Sequence, residues 1–141
     1  QCTKRGIAII YVAKRIMDKE GKKLIIKAKS LIDKYYSPQH QVAAVFLTSK
    51  GKVLEGISVH GQKLHLCSEW PVINKALISK LDLKLGVAMF KNKDGSYEIF
   101  PPCALCRELY VTYFPNVRII VSDNKVMKAR DLLPYMWVRR K

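Results

Sequence analysis

At 141 residues and 49% hydrophobic, the chain has room for one buried core and not comfortably for two. Its longest apolar stretch, Gly6 to Ala13, ends at Lys14 and Arg15, short of the roughly 20 residues that cross a bilayer, and no small-residue cleavage site follows, so a cytoplasmic protein without a membrane partner is expected. The 26 Lys and Arg against 11 Asp and Glu give +15, enough to draw in phosphates or a polynucleotide, but no five basic residues are consecutive, which favours a solvated surface.

Residues 1–19 read as a basic N-terminal extension whose expected structure is an added helix, and residues 20–141 as the main domain. Ten of the basic groups fall within residues 1–34. From residue 20 to 36, Leu24, Ile25, Ala28, Leu31, Ile32 and Tyr35 recur on one helical stripe with lysines opposite, the pattern of a surface helix packed on something flat. Ser37-Pro38 ends it. "QVAAVFLT" and "VLEGISVH", joined through Ser49-Lys50-Gly51-Lys52, then read as two strands and a tight turn.

From Cys67 the period becomes helical again, with Val72, Ile73, Ala76, Leu77 and Leu81 in phase and Pro71 in the first turn. Residues 83–90, "LKLGVAMF", form a buried type of strand, 91–96 a loop around Asp94-Gly95, and "YEIF" leads to Pro101-Pro102. A helix from Cys103 to Phe114, a strand at 117–122 and a short terminal helix over "ARDLLPYMW" complete the chain. The order predicts a mixed sheet with helices on both faces, an α/β/α arrangement.

Four cysteines would allow two disulfides, but that device belongs to small secreted domains, and metal binding fits a chain with its own core better. Cys103 and Cys106, three apart in the first turn of one helix, share a face, and Cys67 opens another helix. If the two N-termini converge, their N–H groups and dipoles favour thiolates, and three thiolates fit a zinc ion with its fourth position open. Glu69, two residues beyond Cys67, is then placed to move protons for a hydrolytic attack on an electrophilic carbon. The competing readings are a structural zinc knot using Cys2 as fourth ligand and a redox Cys-x-x-Cys pair.

Cys67-Ser68-Glu69 followed by Pro102-Cys103-Ala104-Leu105-Cys106 matches the zinc deaminase signature of Cys or His, one residue, Glu, then Pro-Cys-x-x-Cys. From about Leu24 to Trp137 the chain resembles the cytidine deaminase superfamily, and within it the blasticidin-S deaminase type, whose short step between the second strand and the catalytic segment matches the nine residues from Ser58 to Cys67. The resemblance implies a three-layer α/β/α fold, a homotetramer, zinc on Cys67, Cys103 and Cys106, and Glu69 as proton shuttle. It also implies hydrolytic removal of the amine of a cytosine-type base in a free nucleoside or nucleoside analogue, with backbone groups around Pro102 and Cys103 holding the reacting substituent.

Three departures bear on the substrate. Ser58-Val59-His60 stands where cytidine deaminases carry an Asn-x-Glu segment that grips ribose, so Ser58 and His60 are the candidate substrate contacts. His40 stands where the family has a stacking phenylalanine. Trp70 follows the glutamate where the family has arginine, leaving Arg107 to offset thiolate charge. Trp137, after Leu-Leu-Pro, corresponds to a chain end that lies near the pocket, often a neighbour's. A single-stranded polynucleotide deaminase and an inactive zinc-stabilised binding module are the two alternatives.

Overall fold

The structure is a computed structural model that describes residues 17–141. Most of the basic extension, with its expected helix, and Cys2 lie outside the described residues. Among the described residues no helix is long and apolar enough to cross a membrane.

A π-helical turn, Met17–Gly21, runs into α1, Lys22–Tyr35. The stripe expected from the sequence supplies its packing: Leu24, Ala28 and Ile32 are buried while Ile26 and Tyr35 face outward. The flat partner is a six-stranded sheet. Its strands are β1 (Val42–Thr48), β2 (Val53–Ile57), β5 (Leu83–Lys91), β6 (Tyr97–Phe100), β7 (Arg118–Ser122) and β8 (Lys125–Lys128), and β3 (Val59–His60) and β4 (His65–Leu66) pair separately. The main path runs β2-β1-β5-β7-β8. β5 pairs with β1 along one edge, and its other edge takes β7 in parallel at Leu85–Gly86 and β6 in antiparallel at Ala88–Lys91.

Side chains alternate across this sheet and divide the core in two. Val45, Leu85, Val87, Met89 and Ile120 pack with α1 on one face. Ala44, Phe46, Ala88 and Ile119 meet α2 (Glu69–Ile78) and α3 (Ala104–Tyr113) on the other. The three-layer α/β/α fold with a central mixed sheet is therefore present. The close packing has a steric condition at Gly86, where a Cβ would overlap the ring of Phe46.

Two local expectations are corrected, and one strand is added. "VLEGISVH" is not one strand: it breaks at Ser58, whose Oγ accepts from the N–H groups of Gln41 and Val42, and Val59–His60 leaves the sheet to pair with His65–Leu66. The terminal helix over 129–137 reduces to a 3-10 turn at Ala129–Asp131, because Pro134 has no N–H to give and Tyr135 takes a φ of 55°. β8, unforeseen in "KVMK", forms because the turn at Asp123-Asn124 folds it back antiparallel on β7.

One polar cluster ties α1 to the sheet. Asp33 accepts from Lys91 Nζ at 2.7 Å and from the Tyr97 hydroxyl at 2.6 Å. Lys91 first, and Tyr97 second, hold the Asp33 carboxyl below the usual carboxylate range. A depressed native pKa contributes stability above the unfolded value, about 3.9, and that contribution is lost as pH falls through the native pKa. Asp33→Asn is accordingly expected to lower the melting temperature at pH 7, with the difference from wild type shrinking below about pH 4; a gap that stays constant down to acid pH would contradict the assignment.

Candidate metal and catalytic site

The site lies where two helix N-termini meet the ends of β1 and β5. Ser68 is the N-cap of α2 and Glu69 its first residue, so Cys67 sits just before the helix; Cys103 is the N-cap of α3 and Cys106 lies in its first turn. The chain can bring α2 this close to β2 only because residue 56 is glycine: a Cβ there would run into the Ser68 carbonyl oxygen and meet Val72. Around Cys103, Arg107 Nε donates to the Pro102 carbonyl at 2.8 Å and Nη1 to the Leu132 carbonyl at 3.1 Å. Arg107 thus clamps the loop before α3 to the terminal segment.

The Sγ atoms of Cys67, Cys103 and Cys106 all lie within 4.8 Å of one another, and Cys67 and Cys103 are 3.4 Å apart. Tetrahedral zinc with bonds of about 2.3 Å separates its sulfurs by roughly 3.8 Å, so the three donors fit that ion with only small adjustment. Their chemistry also asks for a cation. Burial, then the neighbouring Cys103 thiol, pushes Cys67 up to about 11, and burial raises the fully buried Cys106 further. Cys103, the exposed member, is held below its ordinary value: partial desolvation opposes ionisation, but the Cys106 N–H and the Cys67 thiol outweigh it. Without a positive charge such a cluster stays largely protonated; a bound cation reverses that balance.

Glu69 is 6% exposed and accepts from the Ser68 hydroxyl at 3.1 Å. Burial raises its carboxyl above the usual carboxylate range. It opens, with Cys67 and Cys103, onto a cleft of about 150 Å³ that is also lined by Val42, Ser58, His60, His65, Ala88, Phe100 and Pro101. A cavity of about that volume is known to hold one benzene ring, so the cleft has room for a single six-membered ring beside the carboxylate and the sulfurs.

The other candidates are distributed unevenly. Ser58 and His60 line the cleft. His40 does not; its Nδ1–H donates to the Ser58 carbonyl at 2.8 Å and so steadies the cleft wall from behind. Pro102 is buried, with its carbonyl committed to Arg107, while its neighbour Pro101 lines the cleft. Trp137 is 77% exposed and is not among the lining residues.

Three further residues were not among the site residues expected from the sequence. His65 pairs across β3 and β4 with His60, ring centroids 4.4 Å apart. Phe100 faces the cleft because it pairs with Ala88 in the β5–β6 register. Tyr110, one turn beyond Cys106, is fully buried against Phe46, and its hydroxyl has no partner among the described residues. Its spacing from Cys106 was the available signal.

No family model matches the sequence. The chain is 25% identical over 115 residues to a blasticidin-S deaminase of Bacillus cereus, covering 74% of this chain and 82% of that protein. Among solved structures, the cytidine deaminase of Burkholderia pseudomallei superposes with a TM-score of 0.68 at 25% identity, over 82% of this chain and 98% of that one. In sequence and in fold the chain is similar to the cytidine deaminase superfamily. The superfamily fold is seen again in the Bacillus anthracis cytidine deaminase, with a TM-score of 0.72, 20% identity, and coverage of 82% and 88%.

Gly56 gives the superfamily geometry a direct test. Gly56→Ala must push Ser68 off β2 and carry Cys67 and Glu69 with it. The expected cost is about 1–3 kcal/mol in urea titration, together with weakened zinc binding in competition with a chromophoric chelator. An alanine tolerated in both measurements would mean that strand and helix have slack.

Proposed function

We propose that this chain is a zinc-dependent hydrolytic deaminase that removes the exocyclic amine of a cytosine-type ring carried by a free nucleoside or nucleoside analogue. The observation that carries this reading is the joining of three mutually close thiols and one buried carboxylate in a cleft sized for a single ring. Residues 20–141 form the deaminase domain and residues 1–19 a basic extension.

Cys67, Cys103 and Cys106 would hold the zinc, which when bound supplies a Lewis acid able to make water nucleophilic near neutral pH. Glu69 does the proton work. It takes one proton from the attacking water and gives it to the ring nitrogen as the C–O bond forms, then takes the second from the new hydroxyl and delivers it to the amine as the C–N bond breaks, so that the ring keeps a carbonyl and ammonia leaves. Burial against Ser68 fixes this carboxylate and keeps bulk water from competing for its proton. Pro101 and the backbone at Cys103 border the reacting substituent. Ser58 and His60, replacing a carboxylate-bearing pair, contact whatever the ring is attached to.

Glu69→Ala is expected to lower ammonia release from a cytosine nucleoside by at least about 10²–10⁴-fold while the protein retains about one zinc per chain. Retained turnover in that variant would remove Glu69 from the mechanism. Zinc bound with no turnover of any cytosine compound in the wild type would favour the inactive binding module.

The same resemblance supports a homotetramer. An apolar groove on the outer side of α2 and α3, lined by Val59, Trp70, Leu77, Leu109 and Tyr113, is the surface suited to bury against another copy. Light scattering is expected to give four chain masses for wild type and fewer for Leu77→Glu, whereas a monomeric wild type would contradict the assembly.

A further inference from the structure

The cleft has an aromatic outer wall. Phe100, 38% exposed at the cleft, stacks on Phe90 with ring centroids 4.6 Å apart and planes within 4°. Both rings lie on the sheet face that carries α2 and α3, because Phe100 pairs with Ala88 and Phe90 with Val42. Phe90 also lines a second concavity, of about 440 Å³, with Tyr36, Gln41, Lys91, Asn92, Lys93 and the carboxylate of Asp94. Lys91 Nζ sits 5.1 Å over the Tyr36 ring and so holds it in place. Lys93 is exposed and has no ion-pair partner among the described residues. The catalytic cleft therefore continues, across a stacked aromatic pair, into a concavity edged by Lys93 and by Asp94, whose carboxylate is engaged by Ser96.

We infer that this track binds the nucleotide neighbouring the deaminated one: a second base stacks at Phe100, and the phosphate linking the two lies toward Lys93. The inference rests on the deaminase reading of the cleft and replaces its free-nucleoside substrate by a cytosine-containing dinucleotide or strand. An aromatic face accepts any base, because every base has a π-surface, and each such stack is worth enough to be seen in affinity. The net charge of +15 favours the approach of a phosphodiester over that of a neutral nucleoside.

The test compares cytidine, dinucleotides carrying cytosine on either side of adenine, and a cytosine-containing hexanucleotide, by ammonia release from zinc-loaded wild type and Phe100→Leu. In parallel, fluorescence of 2-aminopurine in a 2-aminopurine–cytosine dinucleotide reports stacking whether or not turnover occurs. Wild type is expected to show kcat/KM at least tenfold higher on one dinucleotide than on cytidine, with 2-aminopurine quenched on binding. Phe100→Leu should bring that ratio close to one and abolish most of the quench. Lys93→Ala should weaken dinucleotide binding and flatten its salt dependence. A hexanucleotide better than the dinucleotide would identify a strand, and an equal one a dinucleotide-sized substrate; either supports the track. Cytidine turned over as well as every dinucleotide, with no quench, overturns the inference and leaves the deaminase reading standing. No turnover of any compound overturns the deaminase reading, and the quench, present or absent, then decides the track by itself.

Discussion

Everything at the site depends on two helices starting at the same place. The N-terminus of α2 and that of α3 converge beside the ends of β1 and β5, and between them they bring three sulfurs to within 4.8 Å of one another next to a buried carboxylate. Four groups that could each carry a negative charge are thereby packed where water is scarce. Helix dipoles offset part of that cost, but they do not offset three thiolates and a carboxylate. The arrangement is comfortable only with a cation among the sulfurs, and it leaves the carboxylate free to handle protons. The surrounding residues serve this convergence: Gly56 permits the close approach of Ser68, Arg107 fixes the loop before α3, and the Ser58 hydroxyl pins the end of β1.

What was legible in the sequence follows physical lines. The stripe Leu24, Ala28 and Ile32 identified α1 and the need for a flat partner, since a helix buries its apolar side only against something. Cys67, Glu69, Cys103 and Cys106 could be read because local spacing decides which groups share a helix turn, and a metal site demands few residue types. Local spacing failed where a long-range contact decides. The strand break at Ser58 depends on its hydroxyl meeting backbone 16 and 17 residues away, and β8 exists only because β7 offers an edge. The missing terminal helix at 129–137 was legible after all in Pro134.

The cleft walls were the least legible part. His60 faces His65, and Phe100 faces the cleft beside Phe90, through strand register, which the sequence does not print. One wall carries the imidazoles of His60 and His65, and the other Phe100, stacked on the Phe90 ring that leads to a concavity lined by Lys93 and Asp94. The chemistry at the floor and the selectivity at the walls are thus carried by different segments. β3, β4 and β6 supply no thiol and no carboxylate to the cluster.

The central claim is that three cysteines, and no fourth, hold a zinc ion beside Glu69. Zinc-edge X-ray absorption of the purified full chain tests it most directly. The account predicts three sulfur neighbours at about 2.3 Å and one lighter neighbour at about 2.0 Å. Four sulfur neighbours, with Cys2 completing the set, would make the centre a closed structural knot and contradict the catalytic assignment.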